Sequence, residues 1–274
     1  MSQHRIQEGD CIAGMKDEEA GSADLVFADP PFNIGFDYDI YEDKKSLDEY
    51  LSWSKAWMQE AHRVLHPHGS FWIAIGPEYV SELDVTAKSL GFHKRNVVIW
   101  TYTFGVNCQN NFTRATTHLL YYTKHRTKFT FNVDQVRVPS ARQVIYRDKR
   151  QNPKGRLPDN MWILRPQDAP EFFQETDQVW HCPRINGTFK ARQKLVACQM
   201  PEQVMGRIIR LCSHPGDLVV DPFAGSGATT RVAKKLGRKS LAWELSPSYR
   251  AAAQARVDEA KEGDPLDTPA IQGG

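Results

Sequence analysis

Two adjacent prolines behind an apolar run constrain this chain more than any other feature. The run Asp24-Leu25-Val26-Phe27-Ala28 reads as a short buried strand, and it meets Asp29-Pro30-Pro31-Phe32. Proline cannot donate to a sheet ladder or continue a helix interior, so the chain leaves its sheet at Asp29. One carboxylate, one rigid turn and one aromatic ring are thereby gathered at the carboxyl end of a strand. Open α/β sheets bind their ligands at such ends.

A second unit of the same kind lies far downstream. Leu218-Val219-Val220-Asp221 reads as a strand ending in an acid, Pro222-Phe223-Ala224-Gly225-Ser226-Gly227 as a Gly-rich turn, and Thr229 to Leu236 as a helix. Glycine permits positive φ and close backbone approach to a ligand. Ser240-Leu241-Ala242-Trp243-Glu244 reads as the next strand, with its acid 23 residues beyond Asp221. A glycine turn followed about 20 residues later by an acid is how a Rossmann-like half holds an adenosyl ribose. No Lys-Ser/Thr pair follows the glycines, which argues against a phosphate-binding P-loop.

The first cluster suits a particular chemistry. The exocyclic amine of a nucleobase is a poor nucleophile, because its lone pair is delocalised into the ring. Two acceptors aimed at its N–H groups would draw the nitrogen toward a tetrahedral, more nucleophilic state. The Asp29 carboxylate and the Pro30 carbonyl are candidates, with Pro31 stiffening the turn and Phe32 offering a stacking face. With its Asp-Pro-Pro-Phe motif and its Asp-Pro-Phe-Ala-Gly-Ser-Gly motif, the chain resembles the amino-methyltransferases of DNA. The order of catalytic turn, basic segment and cofactor glycines matches their beta group, and the resemblance covers about Arg5 to Ala260.

The resemblance implies an α/β fold of the Rossmann-like class I methyltransferase type. Its seven-stranded mixed sheet carries helices on both faces and a loop-rich inserted target-recognition segment. It implies S-adenosylmethionine as cofactor, held by Asp10, Cys11, Asp29, Met200, Pro201, Asp221, Phe223, Ala224, Gly225, Ser226, Gly227, Thr229, Glu244 and Leu245. Asp10 also reads as a helix N-cap, and the two roles are compatible. Asp29, Pro30, Pro31 and Phe32 would be catalytic. Asp rather than Ser at position 29 favours the N6 amine of adenine in this family. N4 of cytosine, or a silent DNA-binding module, are the alternatives. The family's Gln-Lys-Pro signature reads Gln199-Met200-Pro201 here, without its lysine. Double-stranded DNA is the implied partner, and a homodimer and a separately acting cognate restriction endonuclease are compatible with the family.

Charge is unevenly placed. The formal net charge is only +2, but residues 124–194 hold 15 Lys or Arg against seven Asp or Glu. Prolines at 139, 153, 158, 166, 170 and 183 argue against a regular sheet there. Neutralising phosphates is the main sequence-independent source of nucleic-acid affinity, so this stretch reads as a target-recognition insertion, with a solvated basic face as the alternative. Arg147, Lys149, Arg150, Lys190 and Arg192 are its candidate DNA contacts, joined by Asn111 and Arg114 from the amide-rich stretch Gly105–Arg114. The resulting division is a catalytic half over 1–123, target recognition over 124–194, a cofactor half over 195–260 and a flexible tail over 261–274.

Between these landmarks the pattern predicts a strand over Arg5–Asp10 with a helix from Cys11 and a covering loop over Asn33–Lys45. A helix follows over Ser46–Leu65, closed by Gly69, with Trp53 and Trp57 as core residues. Beyond it come a strand over Ser70–Ile75, a helix from Pro77 to about Leu90, and strands over Asn96–Trp100 and Thr117–Tyr122. Helices over Pro201–Cys212 and Pro247–Ala260 complete the prediction. No apolar run reaches the ~18 residues of a membrane span, and no signal peptide is visible. The cysteines at 11, 108, 182, 198 and 212 form no Cys-x-x-Cys pair, which points to free thiols, a cytoplasmic protein and no metal site.

Overall fold

In the computed structural model the described residues are 3–106, 109–138, 140, 142, 145–162 and 199–267. Lys190 and Arg192, and tail residues 268–274, lie outside them. The chain runs β1 (His4–Glu8), α1 (Cys11–Lys16), β2 (Ala23–Ala28), α2 (Leu47–Val64), β3 (Leu65–Ile75), α3 (Val80–Ser89), β4 (His93–Val106), β5 (Arg114–Thr123) and β6 (Met161–Trp162). It continues through α4 (Glu202–Cys212), β7 (Leu218–Asp221), α5 (Ala228–Lys235), β8 (Lys239–Glu244) and α6 (Pro247–Glu259).

Among the described residues one sheet contains every named strand, in the order β1-β8-β7-β2-β3-β5-β4-β6. The pairs from β1 to β3 are parallel, β5 is antiparallel to both β3 and β4, and β4 pairs parallel with β6. The mixed sheet expected with seven strands thus gains an eighth at its edge, a two-residue strand from the basic segment. After β2 the chain winds outward through β3. After β7 it winds the other way through β8. The crevice between the carboxyl ends of β2 and β7 is therefore the topological switch point, where such sheets bind ligands.

Alternation along the central strands supplies two cores, since successive side chains point to opposite faces. Val26, Ala28, Phe71, Ile73 and Ile75 face α1, α2 and α3, where Tyr50, Trp57 and Met58 are fully buried. Leu25, Phe27, Trp72 and Ala74 face α4 and α5. Capping sets where the helices begin. Ser46 opens α2 with a capping box, its Oγ accepting the Glu49 N–H while the Glu49 carboxylate accepts the Ser46 N–H. Ser246 caps α6, with Pro247 at the first helical position.

The boundaries depart from expectation in three places. Helix α2 ends at Val64, one residue before the predicted Leu65 and with no part for Gly69 in closing it, because Leu65 already pairs with Ala23; His66–Gly69 then bulges before Ser70 pairs with Thr123. Strands β4 and β5 are longer than predicted and pair as far as Val106 with Arg114. Helix α3 starts at Val80, which frees Gly76-Pro77-Glu78 to form a lip at the end of β3.

The stretch 261–267, expected to be flexible, is packed against α4 and α5. Leu266 lies where a side chain on Gly206 would go, 2.2 Å from an added Cβ. Glu202, with no exposed side-chain surface, is bonded by Lys235 at 2.7 Å and Arg231 at 2.8 Å, and it also accepts the Asp267 N–H at 2.8 Å. The Asp267 carboxylate also accepts from Lys235 at 3.0 Å. No helix among the described residues is long and apolar enough to cross a membrane.

Candidate active site

The two strand-end turns meet at the switch point around a cavity of about 500 Å³, within the range typical of small-molecule sites. Asp29, Pro30, Pro31 and Phe32 form one wall, and Asp221 to Ser226 another. The first turn is locked from beneath. The hydroxyl of Tyr50, a fully buried side chain, donates to the Pro31 carbonyl at 2.9 Å. Phe32 is backed by Gly76, where an added Cβ would sit 3.2 Å from the ring and 2.6 Å from the Glu78 carboxylate. The Glu78 side chain can swing away, but the ring cannot without leaving its place. Gly76→Ala is therefore expected to slow any reaction at this turn about tenfold with ligand affinity at the second turn unchanged, since small misplacements near reacting atoms are costly. Single-turnover rates beside calorimetric affinities would check it, and an unaltered rate would show that Phe32 tolerates displacement.

The second turn is organised by Glu244. Its carboxylate accepts the N–H of Gly225 at 2.9 Å and that of Ser246 at 3.0 Å. Gly225 has φ of +49°, a conformation that favours glycine. Burial raises the Glu244 carboxyl above its ordinary value, against those backbone donors. Asp221 is only 3% exposed. Burial pushes its carboxyl up to about 6, opposed by hydrogen bonds from the Thr229 hydroxyl and the Phe223 N–H. Burial likewise pushes the Cys11 thiol up, so this residue is a neutral wall rather than a nucleophile. Phe223 packs against Trp53 and Trp57, with ring centroids 5.6 and 5.3 Å apart.

Residues 33–45 close one side of the cavity. Asp43, 3% exposed, anchors the loop by accepting the N–H groups of Asn33, Ile34 and Phe36 at 2.8, 3.1 and 2.9 Å. The Asn33 side chain clamps both the N–H and the carbonyl of Lys45, from a backbone with φ of +55°. Phe36, Tyr38, Asp39 and Tyr41 then lie on the cavity wall. The Tyr41 hydroxyl is buried and has no hydrogen-bond partner among the described residues.

Of the proposed cofactor residues, Asp10, Cys11, Asp29, Met200, Asp221, Phe223, Ala224, Gly225, Ser226, Thr229, Glu244 and Leu245 reach this cavity. Asp10 is also the N-cap of α1, accepting the Ala13 N–H at 2.9 Å. Pro201 and Gly227 do not line it. Pro201 is the N-cap of α4. Gly227 is the left-handed N-cap of α5, packed close to Ala253 and Ile6.

Of the proposed DNA contacts, Arg114 lines the cavity rim and is paired with Glu78. The exposed Asn111 spends its side-chain oxygen on the neighbouring Phe112 N–H. Arg147 and Lys149 are exposed, the former with φ of +51°. Arg150 is held in a two-bond pair by Asp148 at 2.9 Å. Sequence reading missed Gly76-Pro77-Glu78, Trp100, Tyr102, Thr117 and Tyr249, and assigned Trp53 to core packing although it also borders the cavity. The Gly-Pro pair behind the apolar run Phe71–Ile75 was a usable signal. It repeats the pattern of a strand stopped by proline.

Comparison with known proteins agrees with this geometry. The family model described as DNA methylase, of the N6/N4 type, matches residues 23–255. The Type II methyltransferase M.HpaI of Haemophilus parainfluenzae is 33% identical over 260 residues, covering 94% of this chain and 76% of the relative. The DNA adenine methyltransferase YhdJ of Escherichia coli is 32% identical over 265 residues, covering 93% and 83%. Among solved structures, the protein TTHA0409 of Thermus thermophilus, complexed with S-adenosyl-L-methionine, superposes with a TM-score of 0.60 at 23% identity. That match covers 96% of this chain and 99% of that one. The cytosine-N4-specific PvuII DNA methyltransferase gives 0.62 at 20% identity, covering 93% and 88%. The donor set fits S-adenosylmethionine: carboxylates for ribose hydroxyls, the apolar Phe223, Cys11 and Met200 for an aromatic base, and an unpaired Tyr41 hydroxyl for a polar group.

Proposed function

This chain belongs to the N6/N4 family of DNA methylases, which use S-adenosylmethionine, and from that premise we propose that it methylates the exocyclic N6 amine of an adenine flipped out of duplex DNA. The observation that carries the reading is the Asp29 carboxylate on the cavity wall, at a locked turn facing the glycine turn of β7. Bound S-adenosylmethionine supplies an electrophilic methyl group. Asp29 accepts one N–H of the target amine. Tyr50 already engages the Pro31 carbonyl, so the second acceptor role falls to the carbonyl of Pro30. Phe32 stacks on the base and fixes the plane from which the amine is pulled. The target amine is paired inside a duplex, so the base must be extruded to reach the site.

Glu244 and Asp221 hold the cofactor as hydroxyl acceptors, and Gly225 lets the backbone approach it. Residues 1–123 and 195–260 are on this reading the catalytic and cofactor halves, and 124–194 finds the target. The basic segment is partly self-neutralised. Arg137 and Lys154 share Asp134, and Arg156 pairs with Asp159. Exposed pairs of this kind are weak and screened by solvent, so DNA phosphates can displace the carboxylates.

Cytosine N4 is the second reading, favoured by the fold shared with the PvuII enzyme. Asp rather than Ser at position 29, and the adenine methyltransferase YhdJ among the relatives, support adenine. A silent binding module would not need an acceptor and a stacking ring at one strand end. Incubation with S-adenosylmethionine and unmethylated DNA, then mass spectrometry of the nucleosides, is expected to show N6-methyladenine. N4-methylcytosine alone would replace the first reading with the second.

A further inference from the structure

The loop over the cavity is fastened at two places of different character. Its neck is built in, through buried Asp43 and the Asn33 clamp. Its tip, residues 37–42, is lightly held: Ile40 is 57% exposed, and Phe36, Tyr38, Tyr41 and Trp53 form a chain of ring contacts at 4.8 to 6.0 Å along the cavity side. From this tip the exposed Asp39 reaches across the mouth to the start of α6. One oxygen of its carboxylate accepts the hydroxyls of both Ser246 and Ser248, the latter at 3.2 Å. The two hydroxyls lie 2.9 Å apart. Ser246 is 1% exposed, and its N–H donates to the same Glu244 carboxylate that holds Gly225. A contact spanning 207 residues thus joins the loop tip to the cofactor acceptor through one serine.

We propose that Asp39 is the latch of a cofactor gate: bonded to Ser246 and Ser248, it holds the tip and Tyr41 shut across the cavity, so that cofactor exchange requires this contact to break. Asp39 acts here as a positioning residue. The inference rests on the cofactor assignment and is indifferent to which base is methylated. Asp37, Asp39, Ile40 and Glu42 of the tip are exposed, and segments that gate ligands are drawn from the least stable parts of a fold.

The test is dissociation of S-adenosylmethionine from the purified full chain without DNA, followed by stopped flow. It is read beside hydrogen–deuterium exchange of residues 37–42. Asp39→Ala should speed dissociation by about tenfold or more, the scale of a lost hydrogen bond to a charged group. Ser248→Ala should do so by less, and exchange at the tip should rise in both. Ser248→Ala avoids disturbing the α6 cap. The double variant should match Asp39→Ala alone, because both act through one contact. Multiplying effects would mean that Asp39 binds the cofactor directly, and would overturn the latch. So would wild-type dissociation and exchange in Asp39→Ala. A wild-type protein that binds no cofactor would overturn the gate together with the cofactor assignment, whereas normal binding with an unaltered rate overturns the gate alone.

Discussion

Replacing Asp29 by alanine is expected to reduce methyl transfer by ~10²–10³-fold while leaving S-adenosylmethionine affinity within a few-fold of wild type. The size follows from removing one preorganised acceptor at a developing charge. As the target nitrogen becomes tetrahedral its N–H groups grow more acidic, so an ionised acceptor gains strength in the transition state. Preferential binding of that state is what lowers a barrier. Asp29 stands at the end of β2, and its turn is held independently by Tyr50 on Pro31. The alanine variant should therefore fold and keep the cavity. Asp29→Asn should fall between the two, keeping a neutral acceptor without the charge. Single-turnover methylation measured beside calorimetric cofactor binding separates the roles. A folded Asp29→Ala protein that methylates at the wild-type rate would remove the turn from the chemistry. Equal loss of rate and of cofactor affinity would make Asp29 chiefly a cofactor ligand.

The two turns were legible in the sequence because proline and glycine dictate backbone there. No strand continues through Pro30-Pro31, and Gly225 occupies a conformation other residues seldom take. What the sequence did not yield was the cavity's other walls. Trp100 and Thr117 pair across β4 and β5, where period-two alternation looks the same whether a side chain faces a core or a cavity. The cover over 33–45 was readable from its position after the catalytic turn. Its anchors were not, since Asp43 looks in sequence like any loop acid and becomes a buried hub only when three backbone N–H groups converge on it. The stretch 261–267 was misread for a related reason. Its composition is that of a disordered tail, but Asp267 completes a charge cluster whose centre, Glu202, is 65 residues away in the chain. Partners that distant leave no local pattern. The weak eighth strand, Met161–Trp162, lies in a proline-rich stretch and is set by β4 beside it.

Asp221→Asn is expected to stabilise the protein at pH 7.5 and, in the same variant, to weaken S-adenosylmethionine binding by tenfold or more. The first effect comes from burial. A carboxyl pushed up to about 6, against ~3.9 in an unfolded chain, costs the folded state on the order of 2–3 kcal/mol when ionised. Asparagine removes that charge. It keeps an oxygen for the Phe223 N–H, and the Thr229 hydroxyl can rotate to accept from the new amide. A rise in melting temperature of about 5 °C is the corresponding scale. The pH dependence has a definite sign. Above about pH 6 the carboxyl is ionised in both states and the full cost is present. Between about 6 and 4 the folded protein takes up a proton that the unfolded chain does not, and the cost shrinks. Below about 4 both states are protonated and it is gone. The advantage of asparagine should therefore be complete at pH 7.5 and vanish as pH falls to about 4. The second effect has the opposite direction because an ionised acceptor in a buried wall binds a hydroxyl more strongly than a neutral one. A structural aspartate would behave otherwise: its replacement would lower stability and leave affinity alone. Thermal melts over this pH range, read against calorimetric affinity, distinguish the two, and a variant less stable than wild type with unchanged binding would remove Asp221 from the cofactor site.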